Sequence, residues 1–255
     1  MTEVKKRTLI TGAASGIGLA TATRLAQDGH SLILVDSKRE PLLAVADSLA
    51  GVAEVLTCVG SVTDENSVEE AVAAAVEKFG GIDALVTSAG IVQVSPSFDV
   101  TVQAFRDHME VNVVGSWLYA QAVGRHMAKQ GSGSIVLVGS VYGATGAPQR
   151  AAYCASKGAV HNLVQSLAVE WGELGIRVNA VAPTGVRTPM VQDLIDQGKY
   201  NLKGVQARTP LARLAEPEEV AAGIRFLISD EASMITGHIL AVDGGWLANG
   251  YVSIK

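Results

Sequence analysis

The sequence predicts an α/β protein with one doubly wound, seven-stranded parallel sheet flanked by helices. Apolar residues make up 48% of the 255 residues and aromatic residues only 5%, a bias typical of parallel strands rich in Val, Ile and Leu. Short apolar runs alternate with segments of helical periodicity along the chain. Because no linker, repeat or low-complexity tract interrupts this alternation, we expect a single domain over residues 1–255.

The first half of the chain alternates strand and helix in regular order. Arg7–Thr11 is a short apolar run closed by a glycine, and Gly16–Asp28 has helical periodicity. Ser31–Asp36 (SLILVD) is an apolar strand that ends in an acid. The pattern then predicts a helix at Glu40–Leu49, a strand at Val52–Val59, a helix at Asp64–Phe79 with Asp64 as N-cap, and a strand at Ile82–Thr87.

The second half continues the alternation with longer helices. The predicted elements are a helix at Thr101–Gln130, a strand at Ser134–Gly139, a helix at Ala151–Gly172, a strand at Arg177–Ala182, a helix at Pro217–Ser229 and a strand at His238–Val242. Weak periodicity marks the segment Pro183–Glu216. Long insertions beyond the carboxyl ends of strands commonly cover ligands, so this segment is the candidate substrate lid, with a plain surface excursion as the alternative.

Composition excludes several classes of function. The net charge of −5 and the pI near 5.5 argue against a nucleic-acid partner, which needs a clustered basic field. No run approaches the ~18 apolar residues that span a membrane, and no signal peptide precedes the first strand. Cys58 and Cys154 cannot form a disulfide framework, which is typical of a reduced, cytoplasmic protein. The five histidines lack ligand spacing, so we expect no metal site.

A glycine-rich turn follows the first predicted strand. The sequence TGAASGIG (Thr11–Gly18) places glycines at Gly12, Gly16 and Gly18, a wider spacing than the ordinary G-x-G-x-x-G. Such glycines allow a sharp turn, close approach to a pyrophosphate and tight helix packing, with the first N–H groups of the helix facing the phosphates. The order of strand, turn and helix therefore predicts a dinucleotide site.

Asp36 closes the second predicted strand, eighteen residues after Gly18. A carboxylate there accepts hydrogen bonds from the adenosine ribose hydroxyls and repels a 2′-phosphate. The turn carries Ser15 where a phosphate-binding Arg or Lys would stand, and Ser37 after the acid is not basic. We therefore predict NAD rather than NADP as the cofactor.

A tyrosine and a lysine share one face of the helix predicted at Ala151–Gly172. Tyr153 and Lys157 are four residues apart, so their side chains project together. A phenol with a pKa of ~10 is a poor base at neutral pH, and a nearby cation favours the phenolate. Ser140 lies thirteen residues earlier at the end of a predicted strand, where open α/β sheets place functional residues. Without Ser140, the pair would be compatible with an ordinary amphipathic helix.

Six motifs occur in one order along the chain: TGAASGIG, TSAG at Thr87–Gly90, Asn112 in VNVVG, Ser140, YCASK and LAVDGGW at Leu240–Trp246. Together they resemble the classical short-chain dehydrogenase/reductase family over essentially the whole chain. The resemblance implies a Rossmann-type fold and an oxidoreductase that moves a hydride between nicotinamide and an alcohol or ketone carbon.

The resemblance also implies four catalytic residues. Tyr153 would exchange a proton with the substrate oxygen, and Ser140 would hydrogen-bond that oxygen as charge develops on it. Lys157 would lower the pKa of the tyrosine and hold the nicotinamide ribose. Asn112 would hold, through its helix, a water that links Lys157 to solvent; its alternative role is that of a polar residue that bends the helix.

The expected cofactor contacts follow the family motifs, and Thr188 matches the position that contacts the carboxamide. The full set is Gly12, Ser15, Gly16, Ile17, Gly18, Asp36, Ser61, Val62, Ser88, Ala89, Gly90, Tyr153, Lys157, Pro183, Val186 and Thr188.

Three positions depart from the family pattern. Ser88 replaces the second residue of the usual NNAG, and Ser61 replaces the acid of the usual Asp-Val pair that touches the adenine amino group. The usual Pro-Gly after the sixth strand is Pro183-Thr184, with Gly185 one step later. None of these changes removes a reacting group, so the resemblance predicts altered affinity rather than altered chemistry.

The sequence limits the substrate only loosely. Residues near Ser140 and Tyr153 should form the pocket, and Tyr142, Gln149 and Arg150 make it polar; Gln93, Met190 and Trp246 are further candidates. A polar pocket favours a polyol, sugar or hydroxy acid over a steroid or a long acyl chain. Arg150 would either pair with a substrate carboxylate or sulfonate, or face solvent at the start of its helix.

Two alternatives stay open from the sequence. One is an NADPH-dependent carbonyl reductase of the same family, such as a 3-oxoacyl thioester reductase, against which Asp36 argues. The other is a non-catalytic dinucleotide-binding protein, although such proteins commonly lose the tyrosine or lysine that this chain keeps. The resemblance further implies a homotetramer, with which the apolar ending around Gly245–Ile254 agrees.

Overall fold

A parallel sheet organises the chain in the computed structural model, which describes residues 6–250. Within that range seven strands pair in the order β3-β2-β1-β4-β5-β6-β7, all parallel. The strands are β1 Arg7–Thr11, β2 Ser31–Asp36, β3 Val55–Val59, β4 Ala84–Thr87, β5 Gly133–Val138, β6 Ile176–Pro183 and β7 Ile239–Val242. The predicted fold class and strand count are confirmed.

Helices cover both faces of the sheet. They are α1 Gly16–Gln27, α2 Arg39–Ser48, α3 Glu65–Phe79, α4 Val102–Met109, α5 Gly115–Gln130, α6 Ala151–Trp171, α7 Pro189–Asp196, α8 Leu202–Arg208 and α9 Pro217–Ile228. Residues of α1, α2 and α9 form one buried apolar cluster with the sheet, and residues of α3, α5 and α6 form the other. Neighbouring strand residues such as Leu9 and Ile10 point to opposite clusters, because side chains alternate across a strand.

The strand order reverses between β1 and β4, which are both paired in the centre of the sheet. In doubly wound sheets the loops after such strands leave in opposite directions and open a crevice at the carboxyl edge. The turns after β1, β4 and β5 all emerge at this edge. None of the helices described between residues 6 and 250 is long and apolar enough to cross a membrane.

Several elements begin or end one residue away from the sequence expectation, and three larger differences each have a local reason. β4 begins at Ala84 rather than Ile82, because the Gln130 side chain accepts from the Ile82 N–H (3.2 Å) and donates to its carbonyl (2.9 Å). β3 begins at Val55 because the chain before it turns back on the end of α2. The candidate lid, expected to lack strong periodicity, contains the two short helices α7 and α8.

The helix expected at Thr101–Gln130 is not continuous. A π-helical segment at Glu110–Val114 separates α4 from α5, and Asn112 lies at its centre. Single π turns within helices frequently occur at functional sites, since the extra residue redirects one side chain and one carbonyl. This break turns the buried Asn112 side chain toward the turn after β4 and toward α6.

Candidate active site

The glycine-rich turn and the turn after β4 interlock. Gly12 has φ = +66°, and a Cβ there would lie 2.7 Å from the backbone nitrogen of Ala89. Thr11 Oγ1 accepts a hydrogen bond from that same nitrogen at 3.2 Å. Only glycine combines this backbone conformation with so close an approach. The first and fourth strands thus bring TGAASGIG and TSAG against each other.

The N-terminus of α1 opens toward the crevice. Ser15 precedes the helix but makes no side-chain cap, so the first N–H groups are not satisfied by it. Gly16 has φ = +54°, and a Cβ there would lie 3.1 Å from the Thr188 methyl group. A Cβ at Gly18 would collide with the Gly12 carbonyl, so Gly18 serves helix packing. Free helical N–H groups and a close backbone surface suit a pyrophosphate.

Asp36 is held in a fixed orientation at the end of β2. Its Oδ2 accepts from the Ala14 N–H at 3.1 Å, and its Oδ1 accepts from the Lys38 N–H at 3.0 Å. Each carboxylate oxygen has a further lone pair for a ligand hydroxyl. The carboxylate therefore needs little reorganisation to accept from a ribose.

Tyr153 and Ser140 meet where α6 passes the end of β5. Ser140 is buried, and its Oγ accepts from the Tyr142 N–H at 3.2 Å. Burial raises the pKa of Tyr153 to about 12, and a hydrogen bond with Ser140 acts in the opposite direction. In this geometry burial therefore outweighs the other influences on the pKa of the phenol, and the lowering expected from Lys157 stays a prediction. At neutral pH the phenol is protonated.

Lys157 lies one helical turn after Tyr153 and is 5% exposed. Its Nζ donates to the Val138 carbonyl at 2.7 Å and lies 5.7 Å from the centre of the Tyr153 ring. Burial lowers the pKa of Lys157 to about 8, because a charged amine loses hydration there. The amine is thus within reach of the tyrosine but bonded to the carbonyl end of β5.

Asn112 connects three elements of the site. Its Oδ1 accepts from the Ile91 N–H at 2.8 Å, and its Nδ2 donates to the Ile91 carbonyl (3.1 Å) and to Ser156 Oγ (2.9 Å). The backbone carbonyl of Asn112 accepts a hydrogen bond from Ser116 Oγ at 2.9 Å. The side chain is 1% exposed, so these bonds hold the turn after β4 against α6.

His161 is a residue of the site that the sequence reasoning missed. It lies one turn after Lys157, and its ring packs under the turn that carries Ser140. A Cβ at Gly139 would lie 2.5 Å from His161 Nε2, and one at Gly143 would lie 2.5 Å from Cε1. Burial lowers the pKa of His161, with Lys157 adding to the effect, and so favours the neutral ring. The sequence feature that could have indicated His161 is its spacing from Tyr153 and Lys157 on the same helix.

An aromatic wall adjoins Tyr153. The Tyr142 ring packs edge-on against Tyr153, with 6.4 Å between ring centres, and against Trp246 at 5.7 Å. The Arg208 guanidinium on α8 lies 4.0 Å from the centre of the Trp246 ring. Tyr200, in the segment between α7 and α8, is close enough to both tyrosines for their charges to influence its pKa. The sequence reasoning did not single out Tyr200 or Arg208.

A cavity of about 700 Å³ runs along the crevice. It is lined by every residue of the expected cofactor set except Gly18, and also by Ser140, Gln93 and Met190. This volume is not lined by four of the expected substrate residues, namely Tyr142, Gln149, Arg150 and Trp246. Gln149 has φ = +61°, and its backbone carbonyl accepts a hydrogen bond from the Ser95 N–H. The structure therefore brings Ser140, Tyr153 and Lys157, which were expected to be catalytic, and the glycine-rich turn to one cavity.

That juxtaposition defines an oxidoreductase that works with a nicotinamide dinucleotide. A family model described as "Enoyl-(Acyl carrier protein) reductase" matches residues 12–247, and the chain belongs to the short-chain dehydrogenase/reductase family. The resemblance seen in the sequence is confirmed. Among the described residues no cluster of His, Cys, Asp or Glu could hold a metal ion.

Similar proteins are named as dehydrogenases and reductases of several small molecules. Cis-4-hydroxycyclohexanecarboxylate dehydrogenase of Sinomonas cyclohexanicum is 42% identical over 94% of this chain and 96% of its own. Glucose 1-dehydrogenase of Gluconobacter oxydans is 40% identical over 94% of this chain and 91% of its own. The solved structure of levodione reductase is 37% identical, covers 96% of this chain and 98% of its own, and has a TM-score of 0.92.

Proposed function

We propose that the protein is an NAD-dependent dehydrogenase that interconverts a small polar secondary alcohol and its ketone. The observation that carries the proposal is a single cavity lined both by Asp36 and by the cluster of Tyr153, Ser140 and Lys157. Asp36 suits an adenosine ribose without a 2′-phosphate, and the cluster of Tyr153, Ser140 and Lys157 suits proton transfer at a carbinol. When bound, the nicotinamide supplies the hydride acceptor or donor.

The chain's own residues have distinct tasks in this proposal. Tyr153 gives a proton to the ketone oxygen or takes one from the alcohol, and Ser140 donates a hydrogen bond to the same oxygen. The positive charge of Lys157, if its amine leaves the Val138 carbonyl for the ligand side, favours the phenolate and binds the nicotinamide ribose. Asn112 holds the turn after β4 and, through its carbonyl, a water on the proton path from Lys157 to solvent.

The preference for NAD rests on charge at the adenosine end. Asp36 carries a negative charge at the end of β2, fixed by two backbone N–H groups. Lys38 also lines the cavity, but its neighbours Ser15 and Ser37 add no second cation there. A 2′-phosphate beside Asp36 would meet a like charge in a partly desolvated site.

The substrate class follows from the walls near Tyr153 and from the similar proteins. Gln93, Ser140 and Lys199 place polar atoms on the cavity that Tyr153 also lines, and two of the similar proteins are named for a hydroxycyclohexanecarboxylate and for glucose. These observations favour a polyol, sugar or hydroxy acid. The description of the matching family model favours a second candidate, an acyl-thioester reductase that prefers NADPH.

We also propose a cytoplasmic homotetramer. Phe105 on α4 and Val169 on α6 are exposed apolar side chains, 41% and 85% accessible, that an assembly would cover. Part of the apolar ending Gly245–Ile254 lies outside the described residues, which stop at residue 250.

A cofactor-by-substrate matrix tests the proposal. Polyols, sugars, hydroxy acids and 3-hydroxyacyl thioesters are each offered with NAD and with NADP, and reduced cofactor is followed by absorbance. We expect turnover of polar secondary alcohols with NAD. Activity confined to acyl thioesters with NADP would establish the second candidate, and equal near-zero rates for wild type and Tyr153→Phe would exclude catalysis on this panel.

A further inference from the structure

Two cationic side chains lie beside the aromatic wall of Tyr142 and Trp246. The Arg150 guanidinium lies 6.0 Å from the centre of the Tyr142 ring, and the Arg208 guanidinium lies 4.0 Å from that of Trp246. Neither arginine forms an ion pair with a carboxylate in the described residues 6–250. Two other arginines of the lid region do pair with carboxylates, Arg187 with Glu216 and Arg213 with Glu219.

Arg150 is the arginine closer to the chemistry. It precedes α6 directly, three residues before Tyr153, and the ring of Tyr142 is close both to its guanidinium and to the ring of Tyr153. Its charge acts to lower the pKa of Tyr142, Tyr153 and Tyr200, so its field reaches all three phenols. Arg208, by contrast, acts on Tyr142 alone among them.

The guanidinium of Arg150 has donors left for a ligand. One amino group donates to the Pro148 carbonyl at 3.2 Å and the other to the Lys199 carbonyl at 3.5 Å. These two bonds hold the planar group in position but use only two of its five N–H donors. Arg150 does not line the large cavity itself, but its guanidinium bonds to Lys199, which does.

The charge balance around this position favours an anion. Arg150 and Lys199 are both cationic, and the acidic side chain that lines the cavity from α7 is Asp193, which does not pair with Arg150 among the described residues. A partly desolvated guanidinium with a fixed plane is suited to bidentate recognition of a carboxylate. The aromatic faces of Tyr142 and Trp246 supply apolar contact for a short carbon framework.

We propose that Arg150 is a specificity-determining residue that binds the carboxylate of a hydroxy acid or oxo acid while the carbinol or ketone carbon meets Tyr153. The inference rests on the proposed function and narrows its substrate class from polar alcohols to acids. The carboxylate is separated from the reacting carbon by a short framework that packs against Tyr142. Without such a substrate, Arg150 would serve only as a tie between the start of α6 and the lid at Lys199.

A matched pair of substrates separates these two roles. The probes are cis-4-hydroxycyclohexanecarboxylate and its neutral carboxamide, each assayed with NAD on wild type, Arg150→Gln and Arg150→Lys. Arg106→Gln is the control variant, since Arg106 is exposed on α4 and the change removes the same charge. Melting curves of all four proteins report folding.

We expect Arg150→Gln to lower kcat/KM about 10- to 100-fold for the carboxylate, mainly through KM, and less than about 3-fold for the carboxamide. Arg150→Lys keeps the positive charge but not the planar guanidinium with its paired N–H donors. Its kcat/KM for the carboxylate should therefore fall less than that of the Gln variant. Arg106→Gln should match wild type on both probes. If the Gln variant does not fold, the Lys variant decides by the same comparison between probes.

Equal losses on both probes would show a tie to the lid rather than carboxylate binding and would overturn the inference. The inference would also be overturned if the wild type oxidised neutral polyols with NAD but preferred the carboxamide to the carboxylate. The proposed function would stand in that case. Wild type that turns over no alcohol of the panel with NAD or NADP would instead remove the proposed function itself.

Discussion

Replacing Asp36 by Asn tests the cofactor preference with the smallest possible change in shape. The carboxylate oxygens accept from the Ala14 N–H at 3.1 Å and the Lys38 N–H at 3.0 Å. An Asn oxygen can keep the bond to Ala14, which is buried, while the Lys38 N–H turns to water. The fold should therefore survive, and what changes is the negative charge at the end of β2.

The expected magnitude follows from the two ways in which that charge acts. Hydrogen bonds to an ionised group contribute about 1.5–3 kcal/mol, so loss of the charged acceptor should lower kcat/KM for NAD about 10- to 100-fold. Removing the repulsion of a 2′-phosphate, worth about 4 kcal/mol per pair of unit charges at 4 Å and an effective dielectric constant of 20, should raise kcat/KM for NADP. With up to about 10³-fold relief for NADP, the NAD/NADP ratio of kcat/KM should fall by at least about 10-fold and by up to about 10⁵-fold.

The assay measures kcat/KM for both cofactors at one fixed alcohol concentration and repeats the measurement at two ionic strengths. Asp47→Asn is the matched control, because Asp47 is exposed on α2 and the substitution removes the same charge. If wild type uses NADP as well as NAD, or if Asp36→Asn and Asp47→Asn change the ratio equally, the assignment of cofactor choice to Asp36 is refuted.

Three further outcomes are expected. Tyr153→Phe should lower kcat/KM about 10²- to 10⁴-fold with an unchanged melting temperature, and a smaller loss would assign proton transfer to another group. Because burial raises the pKa of Tyr153 to about 12, more phenolate is present at higher pH; initial rates of alcohol oxidation should rise from about pH 6 to about pH 10, whereas ketone reduction should not, and a flat oxidation profile would contradict this. Gly12 has φ = +66°, and a Cβ there would lie 2.7 Å from the Ala89 nitrogen. Gly12→Ala should therefore lower the free energy of unfolding by at least about 2 kcal/mol and the melting temperature by about 4–8 °C. Gly146→Ala is the control and should have little effect, because a Cβ there meets nothing within 4 Å.

Most of the architecture could be predicted because its signals are local. The strand Ser31–Asp36 has the bounds predicted from an apolar run closed by an acid, and Asp64 caps α3 by accepting from the Asn66 N–H at 3.1 Å. The residues of the glycine-rich turn likewise follow from the fixed order of strand, turn and helix. In each case the determining contacts lie within a few residues of one another along the chain.

The features that could not be predicted depend on partners that are distant in sequence. Asn112 lies in a π turn because its side chain bonds to Ile91 and Ser156, 21 and 44 residues away. Helical periodicity alone continues through that position, since a single π turn shifts the register by one residue only. Similarly, Gly139 and Gly143 accommodate the His161 ring, a contact that no spacing within the β5 turn predicts.

The displaced glycine after β6 shows how such long-range contacts bear on specificity. A Cβ at Gly185 would collide with the hydroxyl of Tyr200 and would lie 2.8 Å from a Leu214 methyl group. Gly185, one step later than in the family pattern, thus lies where Tyr200 of the lid packs against the turn. Burial raises the pKa of Tyr200 to about 12, so its hydroxyl stays protonated against the turn. Tyr153 and Ser140 belong to motifs whose spacing the sequence displays, whereas contacts between the lid and the turn such as this one leave no such spacing. We therefore expect the packing of residues 185–214, together with Arg150, to govern substrate choice, and this packing can change without altering any motif.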